Sequence, residues 1–388
     1  MPIINSISNM KEEMQEWRRY LHTIPELGFE EFKTANFISK KLSEFGIEVH
    51  QNVAKTGIIG ILHGSEFSEK AIGLRADMDA LQMPEENNFN HRSKTKGKMH
   101  ACGHDGHVSM LLGAAKYLSE TKRFKGTVYF IFQPAEEGLG GGQVMVEEGL
   151  FDNCPMQTVW GMHNWPGLDV GKAAVHFGAV MAAADSFRIT VLGKGGHAAI
   201  PQLSNDPVPV AASIISGLQT LVSRNTDPTN AAVVSVTMLK AGTASNVIPD
   251  EVEMQGTCRT MEPEDRKRLE KGIKKISKSV AEASGLKVKI EYVLGYPATH
   301  NTYQEALDAS KVVEDVMGVN SVEKKLSPSM ASEDFSYMLK EKPGAYIWLG
   351  AGNPGPGKML HNSKYDFNDD ILHLGASYWS RLVETKLS

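Results

Sequence analysis

The chain has 388 residues, more than one hydrophobic core usually supports, so two domains are expected. Its hydrophobic fraction of 41% and charged fraction of 22% are typical of a globular protein with a sizeable core. The formal net charge of −5 gives no reason to expect nucleic acid as a partner. Three scattered cysteines do not indicate a disulfide framework. The sequence shows no signal-like segment and no long apolar run, so a cytoplasmic protein without a membrane partner is expected.

Helical and strand patterns alternate in the first half of the chain. Apolar residues at helical spacing predict two N-terminal helices, and another helix is predicted over 108–120. Short apolar runs at 57–62, 71–76, 127–132, 158–162 and, far downstream, 345–350 predict strands. Apolar strands separated by helices indicate an α/β sandwich with a mostly parallel sheet that is buried on both faces.

The middle of the chain has a different pattern. Between about 186 and 295 the predicted elements follow the order β-α-β-β-α-β, which is the plan of the ferredoxin-like fold. One helix of this segment has Asp206 as its expected N-cap and Pro207 at its first position. The sequence therefore predicts a larger domain formed by 1–185 and 296–388, interrupted by an inserted α+β domain at 186–295.

Side chains of metal-ligand type follow several of the predicted strands. In open α/β sheets ligands bind beyond the carboxyl ends of the strands, where such side chains can converge on one crevice. The stretch "MHACGHDGH" precedes a helix and is expected in the loop layer at the same rim. The candidate ligands are Cys102, His104, Glu137, His163 and His361.

Each of these residues alone has a simpler interpretation, as a hydrogen-bonded histidine, a small buried cysteine or a carboxylate at a helix N-terminus. Together, thiolate, imidazole and carboxylate donors suit manganese, zinc, nickel or cobalt. Five donors exceed the usual three of one catalytic zinc, so two ions with a water between them are predicted. Glu137 would bind metal, while Glu136 would take a proton from the water and return it to a leaving amine.

Two other functions are open at this point. In a cysteine amidohydrolase, Cys102 would be the nucleophile and His104 or His107 its base, but both glutamates, His163 and His361 would then have no role. The third interpretation is a non-catalytic metal-binding or storage protein. Glu136 argues against a storage protein, because such a protein has no use for a base that does not bind the metal.

Nine motifs, in matching order from about residue 16 to 380, carry a family resemblance. They are "LHTIPELGFEE", "GLRADMDALQM", "MHACGHDGH", "FQPAEEG", "GMHNWPG", "GKGGHAA", "SNVIPDEVEMQGTCR", "MASEDFSYM" and "LHNSKYDFND". The chain resembles the metal-dependent amidohydrolases of the aminoacylase–carboxypeptidase superfamily, and its nearest branch is that of bacterial hippurate hydrolase and the plant auxin-conjugate hydrolases.

The resemblance implies a zinc-peptidase-like fold with a lid domain, two divalent ions per chain, and hydrolysis of the amide bond of small N-acyl amino acids. A dipeptidase or carboxypeptidase of the same superfamily is the alternative. By resemblance the five candidate ligands match the family's metal ligands and Glu136 its general base. Asp77 matches an active-site carboxylate that follows a metal-binding histidine in the wider superfamily. Arg75 stands at that histidine position here, so Asp77 is expected to support a ligand.

The inserted domain has its own candidates by resemblance. His197 matches a lid histidine that points toward the reacting carbonyl, in some relatives from the partner subunit, and it could donate a hydrogen bond to the oxyanion. Asn246 and Arg259 match positions that hold the substrate's carboxylate. A turn histidine and a surface arginine are the simpler interpretations. An open sheet edge of the lid could pair with a second lid, so a homodimer is a candidate assembly.

Overall fold

The computed structural model describes residues 4–388, which form two compact units. The larger unit contains the chain up to Gly178 together with His300–Ser327 and Asp334–Ser388. The smaller unit contains Ala179–Thr299 and Pro328–Glu333. In the part of the chain that is described, no helix is both long enough and apolar enough to cross a membrane.

The elements of the first stretch of the larger unit are α1 (Asn5–Asn9), α2 (Lys11–Thr23), α3 (Phe32–Glu44), β1 (Glu48–Val53), β2 (Gly57–His63), β3 (Glu66–Asp77), α4 (His104–Thr121), β4 (Lys125–Gln133), α5 (Gly141–Glu147), α6 (Leu150–Asn153), β5 (Thr158–Trp165) and β6 (Ala173–Val175). Those that follow, through the smaller unit, are β7 (Ala179–Met181), β8 (Ala183–Leu192), β9 (Gly196–His197), α7 (Pro207–Ser223), β10 (Ala232–Ala241), β11 (Val247–Ile248), β12 (Glu251–Thr260), α8 (Pro263–Ala283), β13 (Lys287–Leu294) and β14 (Thr299–His300). The returning chain forms α9 (Tyr303–Met317), β15 (Val322–Glu323), α10 (Ser336–Glu341), β16 (Gly344–Gly350) and α11 (Leu372–Lys386).

The sheet of the larger unit has the order β1-β2-β4-β3-β5-β16-β6-β15. Its central strands β4, β3, β5 and β16 are parallel, whereas β1 and β2 join antiparallel at one side. Strands β5 and β16 are buried almost along their whole length, as expected for a sheet covered on both faces. The predicted α/β fold with a mostly parallel sheet is therefore confirmed, and the parallel strands bring their carboxyl ends to one edge.

Two of the element boundaries that differ from the prediction affect the site. Helix α4 begins at His104 and not at 108, because Gly103 adopts φ +93° and its carbonyl accepts from the N–H groups of Gly106 and His107. A Cβ at Gly103 would lie 2.4 Å from Asn164 Oδ1, so only glycine fits there. His104 thus stands in the first turn of a helix, whereas a loop was expected.

Strand β5 also extends beyond its predicted end. It continues to Trp165, and His163 pairs in register with Trp348 of β16. Ring stacking of Trp165 on Trp348, with centroids 3.7 Å apart, extends the contact between these two strands. His163 is therefore part of strand β5 itself and does not lie in the loop after the strand.

The smaller unit has an antiparallel sheet of order β10-β12-β8-β13. Helices α7 and α8 pack on the sheet, where Ile189 and Val191 of β8 and Ile214 of α7 belong to one buried apolar cluster. Asp206 caps α7 by accepting from the N–H of Val208 at 2.9 Å, as its sequence position predicts. Element order and strand order are those of the ferredoxin-like plan.

Candidate metal centre

The candidate ligands converge at the carboxyl ends of the central strands of the larger unit. Cys102 and His104 stand at the beginning of α4, Glu137 follows β4, and His163 lies in β5. His361 lies in the segment between β16 and α11. Their donor atoms form sets whose members all lie within 4.8 Å of one another. The structure thus brings together all five side chains that the sequence singles out as ligands.

Cys102 and His163 are in direct contact. The Sγ of Cys102 lies 3.3 Å from Nε2 of His163, whose Nδ1 donates to the carbonyl oxygen of Asn164 at 2.7 Å. This second bond fixes the tautomer, so that Nε2 of His163 carries a lone pair directed at Cys102. Burial raises the pKa of the Cys102 thiol well above its usual value, and the charges of Glu137 and Glu136 raise it further. Such a thiol is a poor nucleophile, whereas a nearby cation would ionise it.

Asp79 orients His104. The Nδ1 of His104 donates to the main-chain oxygen of Asp79 at 2.9 Å and lies 3.2 Å from its Oδ1. Nε2 is buried and has no hydrogen-bond partner among residues 4–388. Burial lowers the pKa of His104, but the charges of Asp77, Asp79 and Glu137 outweigh it and raise the pKa to about 10. A metal ion at Nε2 would balance this negative charge in place of the proton.

Glu136 and Glu137 occupy an irregular turn directly after β4. Ala135 has φ +55°, which is uncommon for a residue with a side chain. The N–H of Glu137 donates to Oδ2 of Asp79 at 3.0 Å, which holds the turn in place. Glu136 is buried and Glu137 is partly exposed, and both have an oxygen in one set with a ring nitrogen of His104. The turn therefore allows two adjacent carboxylates to face the same centre.

His361 closes the exposed side of the centre. Its backbone is left-handed, with φ +61°, and its N–H donates to the carbonyl oxygen of Ala101 at 2.8 Å. This bond connects the loop after β16 to the residue before Cys102. Nε2 of His361 lies 3.3 Å from Oε1 of Glu137. A strained backbone of this kind persists only where its surroundings hold it, and it is frequent at functional sites.

The donors fit two divalent ions. Cys102, His104 and His163 form one set, and Cys102, Glu137 and His361 form another, so the cysteine belongs to both. Besides Nε2 of His104, Oε1 of Glu137 is buried and makes no hydrogen bond in the described chain, although Nε2 of His361 lies 3.3 Å from it. Buried polar atoms normally have partners, and a cation between these donors would supply one. Thiolate, imidazole and carboxylate are also the ligands that borderline divalent ions prefer.

Asp77 lies among cationic groups at the end of β3. Nη1 of Arg75 donates to its Oδ2 at 2.7 Å, and Nδ1 of His107 donates to its Oδ1 at 2.5 Å. Burial would raise the pKa of Asp77, but the charges of His104, Arg75 and His107 outweigh it and hold the pKa well below its usual range. Oδ2 also lies 3.7 Å from Nε2 of His104. Both oxygens of Asp77 thus serve to hold neighbouring side chains.

The three candidates of the inserted segment belong to the smaller unit and are not members of these donor sets. His197 in β9 pairs with Val247 in β11, directly beside Asn246. The carbonyl oxygen of Asn246 accepts from the N–H of Ala198 at 3.1 Å, and the side chains of His197 and Asn246 are exposed. These two residues are neighbours on one short two-stranded ribbon.

Arg259 lies in β12, apart from that ribbon in sequence. Its side chain is partly exposed, and Nη1 donates to the hydroxyl of Thr257 and to the carbonyl oxygen of Cys258. These bonds hold the guanidinium beside its own strand.

Comparison with known proteins shows the family to which the chain belongs. Residues 73–385 match the peptidase family M20/M25/M40. The chain belongs to this family. A hippurate hydrolase from Campylobacter jejuni is 44% identical over 384 residues, which cover 99% of each chain. An IAA-amino acid hydrolase, ILR1-like 2, from Arabidopsis thaliana is 41% identical over 370 residues, which cover 94% of this chain and 83% of the relative.

A solved M20 structure has the same fold. It is a protein from Bacillus subtilis described as a dinuclear metal binding peptidase of the M20 family, 34% identical to this chain. The alignment covers 98% of this chain and 99% of that chain, with a TM-score of 0.86. The family resemblance expected from the nine motifs is thus confirmed, and a relative of the same fold binds two metals.

Several residues that orient the candidate ligands were not among the predicted site residues. Asp79 holds both His104 and Glu137, and its signal in the sequence is its position two residues after Asp77, on the same side of an extended chain. Nε2 of His107 lies 2.7 Å from Oδ1 of Asn164, whose Nδ2 donates to the hydroxyl of Tyr365 at 2.8 Å. No sequence pattern connects residues 107, 164 and 365, because the fold alone brings them together.

Proposed function

We propose that this chain hydrolyses the amide bond of N-acyl amino acids with two divalent ions, and that Glu136 is the general base. The observation that carries the proposal is the buried carboxylate of Glu136 beside donor atoms of His104 and Glu137. The names of two relatives, a hippurate hydrolase and an IAA-amino acid hydrolase, point to the same class of substrate. Manganese, zinc, nickel and cobalt all suit the donors.

The positions of the side chains support the following mechanism. Ions held by the five ligands would polarise the acyl carbonyl and lower the pKa of the attacking water. The carboxylate of Glu136 would take a proton from that water and deliver it to the nitrogen of the leaving amino acid. Asp79 keeps His104 and Glu137 in fixed orientations, so that the ligands need not reorganise during the reaction.

The inserted segment at 186–295 is proposed to act as a lid that recognises substrate. His197 would donate to the oxyanion as the carbonyl becomes tetrahedral. Asn246 and Arg259 would bind the carboxylate of the amino acid, for which a guanidinium is the strongest partner. Exposure of His197 and Asn246 on one ribbon supports a shared role. A homodimer through this segment and a cytoplasmic location stay predictions of the sequence.

The cysteine-nucleophile alternative has less support. A nucleophilic cysteine needs a lowered pKa, whereas burial and the charges of Glu137 and Glu136 raise the pKa of Cys102. A dipeptidase or carboxypeptidase would use the same metal chemistry and differ only in the acyl group. Substrate preference and metal dependence therefore distinguish these functions.

The test is a hydrolysis panel on the metal-free protein with manganese, zinc, nickel or cobalt added singly. The substrates are N-acetyl, N-benzoyl and indole-acetyl amino acids, with dipeptides as the competing class. Metal-dependent release of the amino acid is expected, and turnover that survives chelation but not thiol alkylation would refute the proposal. Glu136→Gln should bind metal normally and lose about a hundredfold or more in kcat, whereas the exposed Glu120→Gln should not.

A further inference from the structure

The stretch "PELGFEE", residues 25–31, is part of the first family motif and has no role in the mechanism above. Its last residue, Glu31, is completely buried. Oε2 of Glu31 accepts from the hydroxyl of Thr56 at 2.6 Å, and Oε1 accepts from the N–H of Ala135 at 2.9 Å. A charge-bearing carboxylate is thus placed against two neutral donors, one of them next to Glu136.

This placement is unfavourable for the carboxylate itself. Burial raises the pKa of Glu31 to about 7, against the hydrogen bonds from Thr56 and Ala135, which lower it. A glutamine or an apolar residue would be easier to bury at such a position. Because burial of the Glu31 carboxylate is unfavourable for the fold, its contacts are candidates for a functional role.

Glu31 contacts the backbone of Ala135, the residue directly before Glu136. Its φ of +55° is disfavoured for alanine, so the surrounding structure must hold it. Its N–H is bound by Glu31, and its carbonyl oxygen accepts from the N–H of Gly141 at 3.0 Å. A Cβ added at Gly28 would lie 2.9 Å from the Cα of Ala135, so the "PELGFEE" stretch lies directly against this turn.

The same stretch also contacts the end of the neighbouring strand β3. The carbonyl oxygen of Glu26 accepts from the N–H of Ala80 at 2.8 Å, immediately after Asp79. The carboxylate of Glu26 accepts from the N–H groups of Lys33 and Thr34 and so fixes the segment to the start of α3. The stretch therefore joins the two turns that carry the general base and the residue that orients His104.

We infer that Glu31 is a positioning residue for hydrolysis, which fixes the Ala135 turn and thereby aims the carboxylate of Glu136. The inference rests on the proposed function, because it requires Glu136 to be the base. Glu137 is held independently through Asp79, so the loss of Glu31 should disturb the base more than the metal. Proton transfer is sensitive to a displacement of about 1 Å, which can lower a rate by two orders of magnitude.

The experiment compares Glu31→Ala, Glu31→Gln and Thr56→Val with the metal-loaded wild type. Glu31→Ala should lower kcat by about tenfold or more, with KM and metal content within about twofold. Glu31→Gln should recover most of kcat, because its amide oxygen can accept from Ala135 and its amide nitrogen can donate to Thr56. Thr56→Val removes only the hydroxyl that donates to Oε2 of Glu31, the oxygen that does not contact Ala135, and should lower kcat less than Glu31→Ala does. Glu30→Gln, an exposed neighbour paired with Lys98, is the matched control and should behave as wild type.

Wild-type kcat in Glu31→Ala, or a parallel loss of metal and kcat, would overturn the assignment. If Glu31→Ala does not fold, Thr56→Val decides, since an unchanged kcat in that variant would also overturn it. Glu136→Gln is measured alongside. An active Glu136→Gln refutes the proposed base itself, whereas an inactive Glu136→Gln with an active Glu31→Ala refutes only the role of Glu31.

Discussion

Arg75 donates from Nη1 to Oδ2 of Asp77 at 2.7 Å, and both side chains are fully buried. The same guanidinium donates from Nε to Gln133 at 2.9 Å and from Nη2 to Asp334 at 3.1 Å. By the sequence resemblance, Arg75 stands at the position of a metal-binding histidine in the wider superfamily. A fixed internal cation therefore stands at this position, and the proposed imidazole ligand is His104 at the start of α4.

Removal of this cation should be costly. Arg75→Met would remove the guanidinium that Asp77 and Asp334 share, while both carboxylates would stay buried. We expect the free energy of unfolding of the metal-free protein to fall by about 3–5 kcal/mol, measured by urea denaturation. Arg188→Met is the control, because its half-exposed guanidinium lies 3.8 Å from Glu291, and it should cost about 0.5 kcal/mol or less. A similar small loss for Arg75→Met would show that the network does not stabilise the fold.

Metal content tests the shared position of Cys102. Because Cys102 belongs to both donor sets, Cys102→Ser should lower the bound metal from about two ions to one or fewer per chain, by elemental analysis after dialysis. Cys154→Ser is the matched control, since Cys154 is also a buried free cysteine but lies in no donor set of the described chain. Unchanged metal content in Cys102→Ser would remove the cysteine from the ligands.

The sequence predicts the candidate metal ligands better than the residues that orient them, for a physical reason. His163 and Glu137 are recognisable because a ligand type at the end of an apolar strand is rare and the sheet brings such ends together. The start of α4 at His104 is not, since it depends on the left-handed backbone of Gly103 against Asn164. Glu31 is recognisable only as part of a motif, because its partner Ala135 is distant in sequence.

The stability of the metal-free protein should depend on pH through His22. Its Nδ1 donates to Oδ2 of Asp105 at 2.8 Å, and Nε2 lies 3.2 Å from Glu85. Burial lowers the pKa of His22, but Asp105 and Glu85 outweigh it and raise the pKa from 6.5 to about 9. Because folding raises this pKa, the stabilisation is complete below the unfolded value and is lost as the pH rises through the folded value.

His22→Gln should therefore reduce the free energy of unfolding by about 3 kcal/mol at about pH 6 and by much less at about pH 10. Urea denaturation in the presence of a chelator measures both. His50→Gln is the control, because His50 is exposed beside Glu48 and its replacement should have a small effect throughout. A loss that is the same at both pH values would mean that packing, and not the charge on His22, stabilises this region.

The proposed binding of substrate by Arg259 can be tested separately from the chemistry of the candidate metal centre. Arg259 lies in the smaller unit, whereas the donor sets lie in the larger one, so its replacement should leave metal content unchanged. If its guanidinium binds the substrate's carboxylate, Arg259→Met should raise KM for N-acyl amino acids by about tenfold or more, with a smaller change in kcat. An N-acyl amine that lacks the carboxylate should show the same KM with both proteins. Arg188→Met, also on a strand of the smaller unit, should leave KM unchanged, and an equal rise in KM for both substrates would show that Arg259 does not bind the carboxylate.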